Sequence, residues 1–554
     1  MGKKILYVCF FCCVILLGCH KQADYIGAVT TGHPEATKIG VEILKQGGNA
    51  IDASIGVQLA LAVCLPNAGN IGGGGFMIYR NHKGESYALD FRETAPKAST
   101  KNMYLDDKGD IIDSLSTYGF LSIGIPGTID GIFEAHKRFG SMSIDSIFNY
   151  AINLANTGFP ITEIQASKLN YYQEDFKKFN PNNNYLQSNK WVKGDTLQQK
   201  DLANTLLLIR DQGRAGFYEG EVAKSIIETT QDNGIISLDD LKNYKAIWRN
   251  PITLKFGKYT LISMPPPSSG GIALSQLLMM LSNFDVTQIK HNSKEYIHLL
   301  SEIEKRVYAD RAMYLGDMDY YSVPIKSLMS FDYNQKRIEK INLKYATHSD
   351  SISHGIFFNN ESEETTHFSI LDKNGNAVSI TTTLNTNYGS KVFVNNRGFL
   401  LNNEMDDFSS KPGEPNTYGL LGSVANSIEP GKRMLSSMTP TIIEKNSDLF
   451  LVLGTPGGST IITSVFQTIL NVILFDMDIQ NAVNAPRFHH QWKPEYIYME
   501  NELFSNELKD DLLKMGHDII RRNSMGHVNA IIYNDTVSVA ADKRGDNKAE
   551  LLNK

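Results

Sequence analysis

The stretch Thr365-Thr-His-Phe-Ser-Ile-Leu-Asp-Lys-Asn-Gly-Asn-Ala-Val-Ser-Ile-Thr-Thr-Thr383 holds two β-rich runs, 367–371 and 376–383, around Asp372-Lys-Asn-Gly375. That is the pattern of a β-hairpin. With Lys373-Asn374-Gly375 as a three-residue loop and Gly375 left-handed, Asp372 pairs with Asn376. Counting back along the ladder then sets Thr365 opposite Thr383. A two-residue loop would shift the pairing by one and exchange the two faces, so the register is an expectation that the structure can contradict.

Upstream of the hairpin, Tyr345 to Glu364 crowds Ser, His, Asn and Glu together, with no large apolar residue after Phe358. This composition suits an exposed linker. An acidic linker that meets a Thr at the head of a strand suggests self-cleavage. The Thr365 hydroxyl attacks the Glu364 carbonyl, and hydrolysis of the resulting ester frees a new N-terminus. That amine, with an intrinsic pKa of about 7.7–8.0, can serve as the base for its own hydroxyl. Taken alone, Thr365-Thr366 reads equally as two ordinary strand residues.

Downstream, Leu449 to Gly454 reads as a strand, Thr455-Pro-Gly-Gly-Ser459 as a loop and Thr460 to Phe475 as an apolar-periodic helix. Backbone N–H groups at such a helix entrance have no intrahelical partners, and Gly457-Gly458 lets the chain approach a ligand closely. The segment fits an oxyanion hole or a plain strand-to-helix turn. Leu401-Asn-Asn-Glu-Met-Asp-Asp407 groups acids beside amides. It can hold a substrate ammonium or a metal, or be a solvated loop, and it lacks the spacing of a calcium loop. Lys411 to Gly419 is a candidate lid. In Asp90-Phe-Arg-Glu93, Arg92 can bind a carboxylate bidentately or pair with Asp90 or Glu93.

A charged fraction of 21% and a net charge of −6 give no reason to expect a nucleic-acid partner. Met1-Gly-Lys-Lys4 followed by the apolar run Ile5 to Leu17 fits a signal peptide, residues 1–18, and is too short for a comfortable membrane span. Leu16-Leu17-Gly18-Cys19 resembles a bacterial lipobox, which implies lipidation at Cys19 and a lipid anchor in the cell envelope, facing the periplasm. A plain secretory signal is the alternative. Cys64 is the one Cys beyond the leader, in the apolar run Ile51 to Leu65 that reads as a buried helix, so neither a disulfide framework nor a Cys-based metal site is available. Gly72 to Gly75 lacks the Lys-Ser/Thr of a phosphate loop, and adjacent His489 and His490 point apart in any regular element. No metal site and no cofactor is expected.

Several motifs in one order resemble bacterial gamma-glutamyltransferases. They are Gly69-Asn-Ile-Gly-Gly-Gly-Gly75, Asp90-Phe-Arg-Glu93, Met264-Pro-Pro-Pro-Ser-Ser-Gly-Gly271, Thr365-Thr-His-Phe-Ser369, Leu400-Leu-Asn-Asn-Glu-Met-Asp-Asp-Phe408, Pro412-Gly413, Leu435-Ser-Ser-Met438, Gly454-Thr-Pro-Gly-Gly-Ser459 and Asn484-Ala-Pro-Arg-Phe-His-His-Gln-Trp492. The resemblance implies an α/β architecture, the four-layer αββα N-terminal-nucleophile hydrolase fold. It implies a large subunit, 19–364, and a small subunit, 365–554, intertwined in one domain. Position by position it makes Thr365 the nucleophile and Thr383 its hydroxyl partner, with Gly457 and Gly458 as the oxyanion hole. Asn385, Glu404 and Asp407 would bind the donor's α-ammonium, and Arg92, Ser436 and Ser437 its α-carboxylate. Tyr418 falls in the lid. The implied donors are glutathione and related gamma-glutamyl compounds, and the implied acceptors are water and amino acid or dipeptide amines. Thr460 departs from the Arg common in relatives, and Glu404 from the Gln of some. An acylase of the same fold, taking glutaryl or cephalosporin-type amides, is the main rival. A non-catalytic envelope lipoprotein is the rival from another class.

Overall fold

The computed structural model describes residues 25–112, 114–181, 183, 185–188, 190–353, 365–417, 419–500 and 504–554. The leader, Cys19, Glu364 and Tyr418 lie outside them.

The hairpin forms in the expected register. Strands Thr366–Asp372 and Ala377–Thr383 pair antiparallel, with Ala377 opposite Leu371 and Thr382 opposite Thr366, so one further step sets Thr365 against Thr383. Gly375 has φ +87° and donates to the Asp372 carbonyl at 3.0 Å. The buried Asp372 carboxylate holds the turn together. One oxygen accepts the N–H groups of Asn374 and Asn376 at 2.9 and 3.1 Å. The other accepts the Asn376 side-chain amide at 2.7 Å and the N–H of Ala50 at 3.0 Å. Ala50 opens the helix Ala50–Cys64, so a residue chosen for its turn chemistry also satisfies a helix N-terminus.

Around the hairpin grows a seven-stranded antiparallel sheet. Its spatial order is Lys548–Asn553, Tyr25–Thr31, Thr366–Asp372, Ala377–Thr383, Gly74–Arg80, Ser86–Asp90, Ile247–Arg249. A second antiparallel sheet runs Thr536–Ala541, Asn529–Asn534, Asp448–Gly454, Thr441–Lys445, Tyr259–Ser263, Ile252–Phe256. Alternation along the strands explains why both faces of the first sheet are buried. Val29, Met77, Leu89, Ile370 and Val378 join the core beneath the helices Pro34–Lys45 and Ala50–Cys64. Their neighbours Ala28, Ile78, Ala88, Leu371 and Ala377 join a second core, between the sheets and under Gly270–Leu281, Lys294–Tyr314 and Thr460–Ile473. The layers are therefore helix, sheet, sheet, helix, as the resemblance implies.

Every residue of Ala50–Cys64 is buried, and Cys64 packs in the core, where burial pushes its thiol pKa up. The patterns at Leu202 to Arg210 and Glu221 to Thr230 are helical, and the helices run Lys200–Gln212 and Glu221–Thr230. The linker differs from expectation at its start. Tyr345 is exposed, but Ser349 and Ile352 are buried. Ala346 donates to the Met515 carbonyl at 2.7 Å, and the Ser349 carbonyl accepts the Trp492 indole N–H at 3.0 Å. Polar composition hid this docking because the partners lie far along the chain. Among the described residues no helix is long and apolar enough to cross a membrane.

Candidate active site

Where the strand Thr366–Asp372 begins, its odd-numbered residues face the second sheet. His367 is buried there against Gly454, where an added Cβ would stand 2.5 Å from the ring. Its Nδ1 contacts the Thr381 hydroxyl at 2.9 Å and its Nε2 the Ser369 hydroxyl at 3.0 Å. Burial lowers its pKa to about 3, so the ring stays neutral. On the neighbouring strand, the Ser379 hydroxyl donates to the Leu453 carbonyl at 3.0 Å and accepts the Thr441 N–H at 3.0 Å. These contacts lock the two sheets in register. Thr365 and Thr383 thus look toward the point where the chain leaves Gly454 for Thr455-Pro-Gly-Gly-Ser459.

That turn is built to present backbone N–H groups. Gly457 and Gly458 adopt φ +134° and +51°, which side chains resist. The Gly457 carbonyl is engaged by the Thr460 N–H at 2.9 Å and the Thr460 hydroxyl at 2.7 Å. The Tyr308 hydroxyl holds the Ser459 carbonyl at 2.5 Å. Among the described residues neither the Gly457 nor the Gly458 N–H donates to protein. The departure at Thr460 therefore puts a hydroxyl anchor on the turn, a role the sequence did not suggest.

Thr365, Thr383, Asn385, Arg92, Glu404, Asp407, Ser436, Ser437 and Gly458 line one cavity of about 290 Å³. Their chain positions are dispersed, and the two sheets and the Glu404–Asp407 turn bring them together. Gly457 lies beside the cavity without lining it. Arg92 is 1% exposed and donates to Glu404 at 2.5 Å and to Asp407, with Glu93 at 3.7 Å. The local pairing with Asp90 does not form. Asp90 accepts the Arg92 backbone N–H and instead pairs with Arg249 at 2.7 Å and Arg433 at 3.3 Å.

Burial raises the pKa of Glu404, Arg92 opposes the shift, and Asp407 adds to it. Burial likewise raises Asp407 against the pull of Arg92, and raises Glu93 well above the carboxylate range. The Thr383 hydroxyl accepts the Asn385 N–H at 2.7 Å and lies within hydrogen-bonding reach of the Glu404 carboxylate. The Asn385 amide donates to the Asn403 carbonyl at 2.9 Å.

The Pro-rich loop of the sequence motif proves to be scaffolding for the serines. Ser436 donates its N–H to the Pro267 carbonyl at 2.8 Å, and its own carbonyl accepts the N–H and hydroxyl of Ser269, each at 2.8 Å. Arg311, which the sequence reading missed, lines the cavity and donates to the Ser437 hydroxyl at 3.1 Å. Of the lid candidate, Asn416 donates to Asp407 at 3.2 Å and Thr417 to Asp406 at 3.1 Å, while Leu420 lines the cavity. His489 and His490 do point apart: His489 contacts Thr463 and Gln491, and His490 accepts the Trp492 N–H.

The arrangement gathers two threonine hydroxyls, a glycine N–H without a partner among the described residues, and buried acids and arginines around one cavity. Comparison with known proteins shows the family. A family model described as gamma-glutamyltranspeptidase matches residues 36–552. The glutathione hydrolase proenzyme of Pseudomonas aeruginosa is 44% identical over 528 residues, covering 94% of this chain and 93% of its own. The crystal structure of Helicobacter pylori gamma-glutamyltranspeptidase, 40% identical, superposes with a TM-score of 0.57 over 58% of this chain and 94% of its own. A cephalosporin acylase from Bacillus halodurans superposes over 95% of this chain and 96% of its own with a TM-score of 0.84, at 24% identity, a likeness of fold alone.

Proposed function

The chain belongs to the gamma-glutamyltranspeptidase family, and from that premise we propose that it matures by cutting itself between Glu364 and Thr365 and then transfers gamma-glutamyl groups through Thr365. The Thr365 Oγ attacks the γ-amide carbonyl of glutathione or a related donor. The N–H groups of Gly457 and Gly458 stabilise the oxyanion, each such donor lowering the barrier by about 3–4 kcal/mol. Cysteinylglycine leaves, and an ester joins the gamma-glutamyl group to Thr365. Water attacks to give glutamate, or an amino acid or dipeptide amine attacks to give a new gamma-glutamyl product. Thr383 partners the nucleophile's hydroxyl. Asn385, Glu404 and Asp407 take the donor's ammonium, and Arg92, Ser436 and Ser437 face its carboxylate. Tyr418 belongs to the lid.

The observation that carries this reading is the cavity itself: Thr365 shares it with a glycine N–H that has no protein partner among the described residues, a buried acid pair and buried arginines. A glutaryl donor has no ammonium, so an acylase would leave Glu404 and Asp407 buried without their ligand, a costly arrangement. The deciding measurement is chromophore release from a gamma-glutamyl anilide, with and without glycylglycine, beside a glutaryl anilide. Turnover of the gamma-glutamyl compound with acceleration by glycylglycine is expected. Turnover of the glutaryl compound alone would establish the acylase.

The pH profile tests the acid pair. The ammonium needs ionised carboxylates, and burial has raised the pKa of both. Donor binding therefore strengthens as pH rises through about 8, where Glu404 gives up its proton, and weakens as the pair protonates at lower pH. Glu404→Gln should flatten the pH dependence of KM while leaving the limb in kcat that belongs to the Thr365 amine. An unchanged KM profile would remove Glu404 from the ammonium site.

We also read the protein as an exported lipoprotein, anchored in the cell envelope through Cys19 and facing the periplasm. Membrane fractionation should find it with the membranes, and Cys19→Ser in the soluble periplasmic fraction. If both fractionate alike, the anchor is wrong.

A further inference from the structure

The wall that grips the donor has a charge imbalance. Arg92 already serves two carboxylates, Glu404 at 2.5 Å and Asp407, with Glu93 close by. One cation shared among these acids can balance an arriving α-carboxylate only in part. A second guanidinium lines the same cavity. Arg311, on the helix Lys294–Tyr314, is 4% exposed and makes no ion pair among the described residues. Its Nε donates to the Ser269 hydroxyl at 3.0 Å and its Nη2 to the Ser437 hydroxyl at 3.1 Å. Its direct partners are neutral hydroxyls, with Asp407 the acid whose field reaches it, and a buried cation so weakly paired is costly unless a further anion comes to it, since arginine cannot shed its proton to escape.

We propose that Arg311 is a second cation, beside Arg92, that balances the donor's α-carboxylate, acting through Ser437 and Ser436. This rests on the gamma-glutamyl reading of the donor. Because the Ser437 Oγ accepts the guanidinium N–H, its own proton is left to donate to a carboxylate in the cavity. Because the Ser269 Oγ accepts from Arg311 Nε, its proton goes to the Ser436 carbonyl, at 2.8 Å. One guanidinium thus orients both serines and adds a positive charge behind them. With Arg311 counted, two arginines face Glu404 and Asp407, and a zwitterionic donor leaves the total unchanged. Arg311 is a positioning residue: its effect reaches the ligand through the two serines.

The test compares two anilides that differ only in the α-carboxylate, gamma-glutamyl and 4-aminobutanoyl, the latter assayed at high enzyme concentration. Arg311→Gln should still self-cleave into two chains. Its kcat/KM for the gamma-glutamyl compound should fall roughly 30- to 100-fold, mostly in KM, the size expected for a lost hydrogen bond to a charged group. Its kcat/KM for 4-aminobutanoyl anilide should change less than about threefold, and Arg311→Lys should restore part of the loss. Equal losses on the two compounds would overturn the proposal and leave Arg311 a structural residue. If Arg311→Gln does not mature, Ser269→Ala decides by the same comparison: a loss confined to the gamma-glutamyl compound supports the role and equal losses overturn it. Failure of the wild-type enzyme on gamma-glutamyl anilide is a separate result, and it would sink the reading of the donor itself.

Discussion

Thr365→Ala protein will run as one full-length chain under denaturing conditions, where the wild type runs as two with the smaller beginning at Thr365. It will also lose activity on gamma-glutamyl anilide by about 10⁴-fold or more, the scale seen when a covalent nucleophile is removed. In the proposed mechanism one group serves both steps: its hydroxyl attacks the Glu364 carbonyl in the precursor, and afterwards the donor's amide. The fold should be indifferent to the change, since Thr365 precedes the strand Thr366–Asp372 and its neighbour His367 does the packing against Gly454. Thermal unfolding should therefore stay within a few degrees of that of uncleaved wild type. Thr365→Ser keeps a hydroxyl and should mature slowly. A wild-type chain that stays intact after long incubation would refute the processing claim outright.

Arg92→Met should have the next largest effect, on stability and activity together. It leaves Glu404, Asp407 and Glu93 buried with their cation gone, and breaking one partner from such a set costs about 3–5 kcal/mol. The pH dependence follows from the sign of the shifts. Burial already raises all three acids, and Arg92 is the influence that pulls them down. Without it their folded-state pKa values rise further above the unfolded values, so the folded state is penalised as pH rises and relieved as the acids protonate. The midpoint of thermal unfolding should fall further below wild type at pH 8 than at pH 5.5. Turnover of gamma-glutamyl anilide should drop about 10³-fold or more, because protonated acids no longer hold the ammonium. Arg92→Lys should recover much of the stability and little of the activity, since an ammonium cannot bridge two carboxylates as a guanidinium does. A gap in midpoint that is the same at both pH values would mean that Arg92 does not balance these acids.

The legible parts of the molecule were those decided by neighbours in the chain. The hairpin register follows from Asp372-Lys-Asn-Gly375, because a left-handed glycine and a turn carboxylate act over four residues. The burial of Ala50–Cys64 follows from an apolar run capped by Asn49. The strand, Gly-Gly turn and helix after Leu449 follow from a short apolar run giving way to a glycine pair and then to helical periodicity. The roles of Thr365, Thr383 and the binding residues came from family resemblance laid over these elements, and no single segment would have supplied them.

The partners of the buried charges were not legible. Local reasoning offered Arg92 its neighbours Asp90 and Glu93; Glu93 does stand within 3.7 Å, Asp90 does not pair with the side chain, and the two short ion pairs lie 312 and 315 residues away, at Glu404 and Asp407. The charged stretch from Glu302 to Arg311 is buried on a helix under the second sheet, and only there does Arg311 meet Ser437. By itself the sequence determined the hairpin that sets Thr365 against Thr383 and the glycine turn that can serve it, because turn geometry and side-chain alternation are short-range. Which cation faces which acid, and which arginine is left for an anion, was decided by tertiary structure. A buried charge takes whatever partner the topology brings within a few ångströms, and distance along the chain carries no information about that.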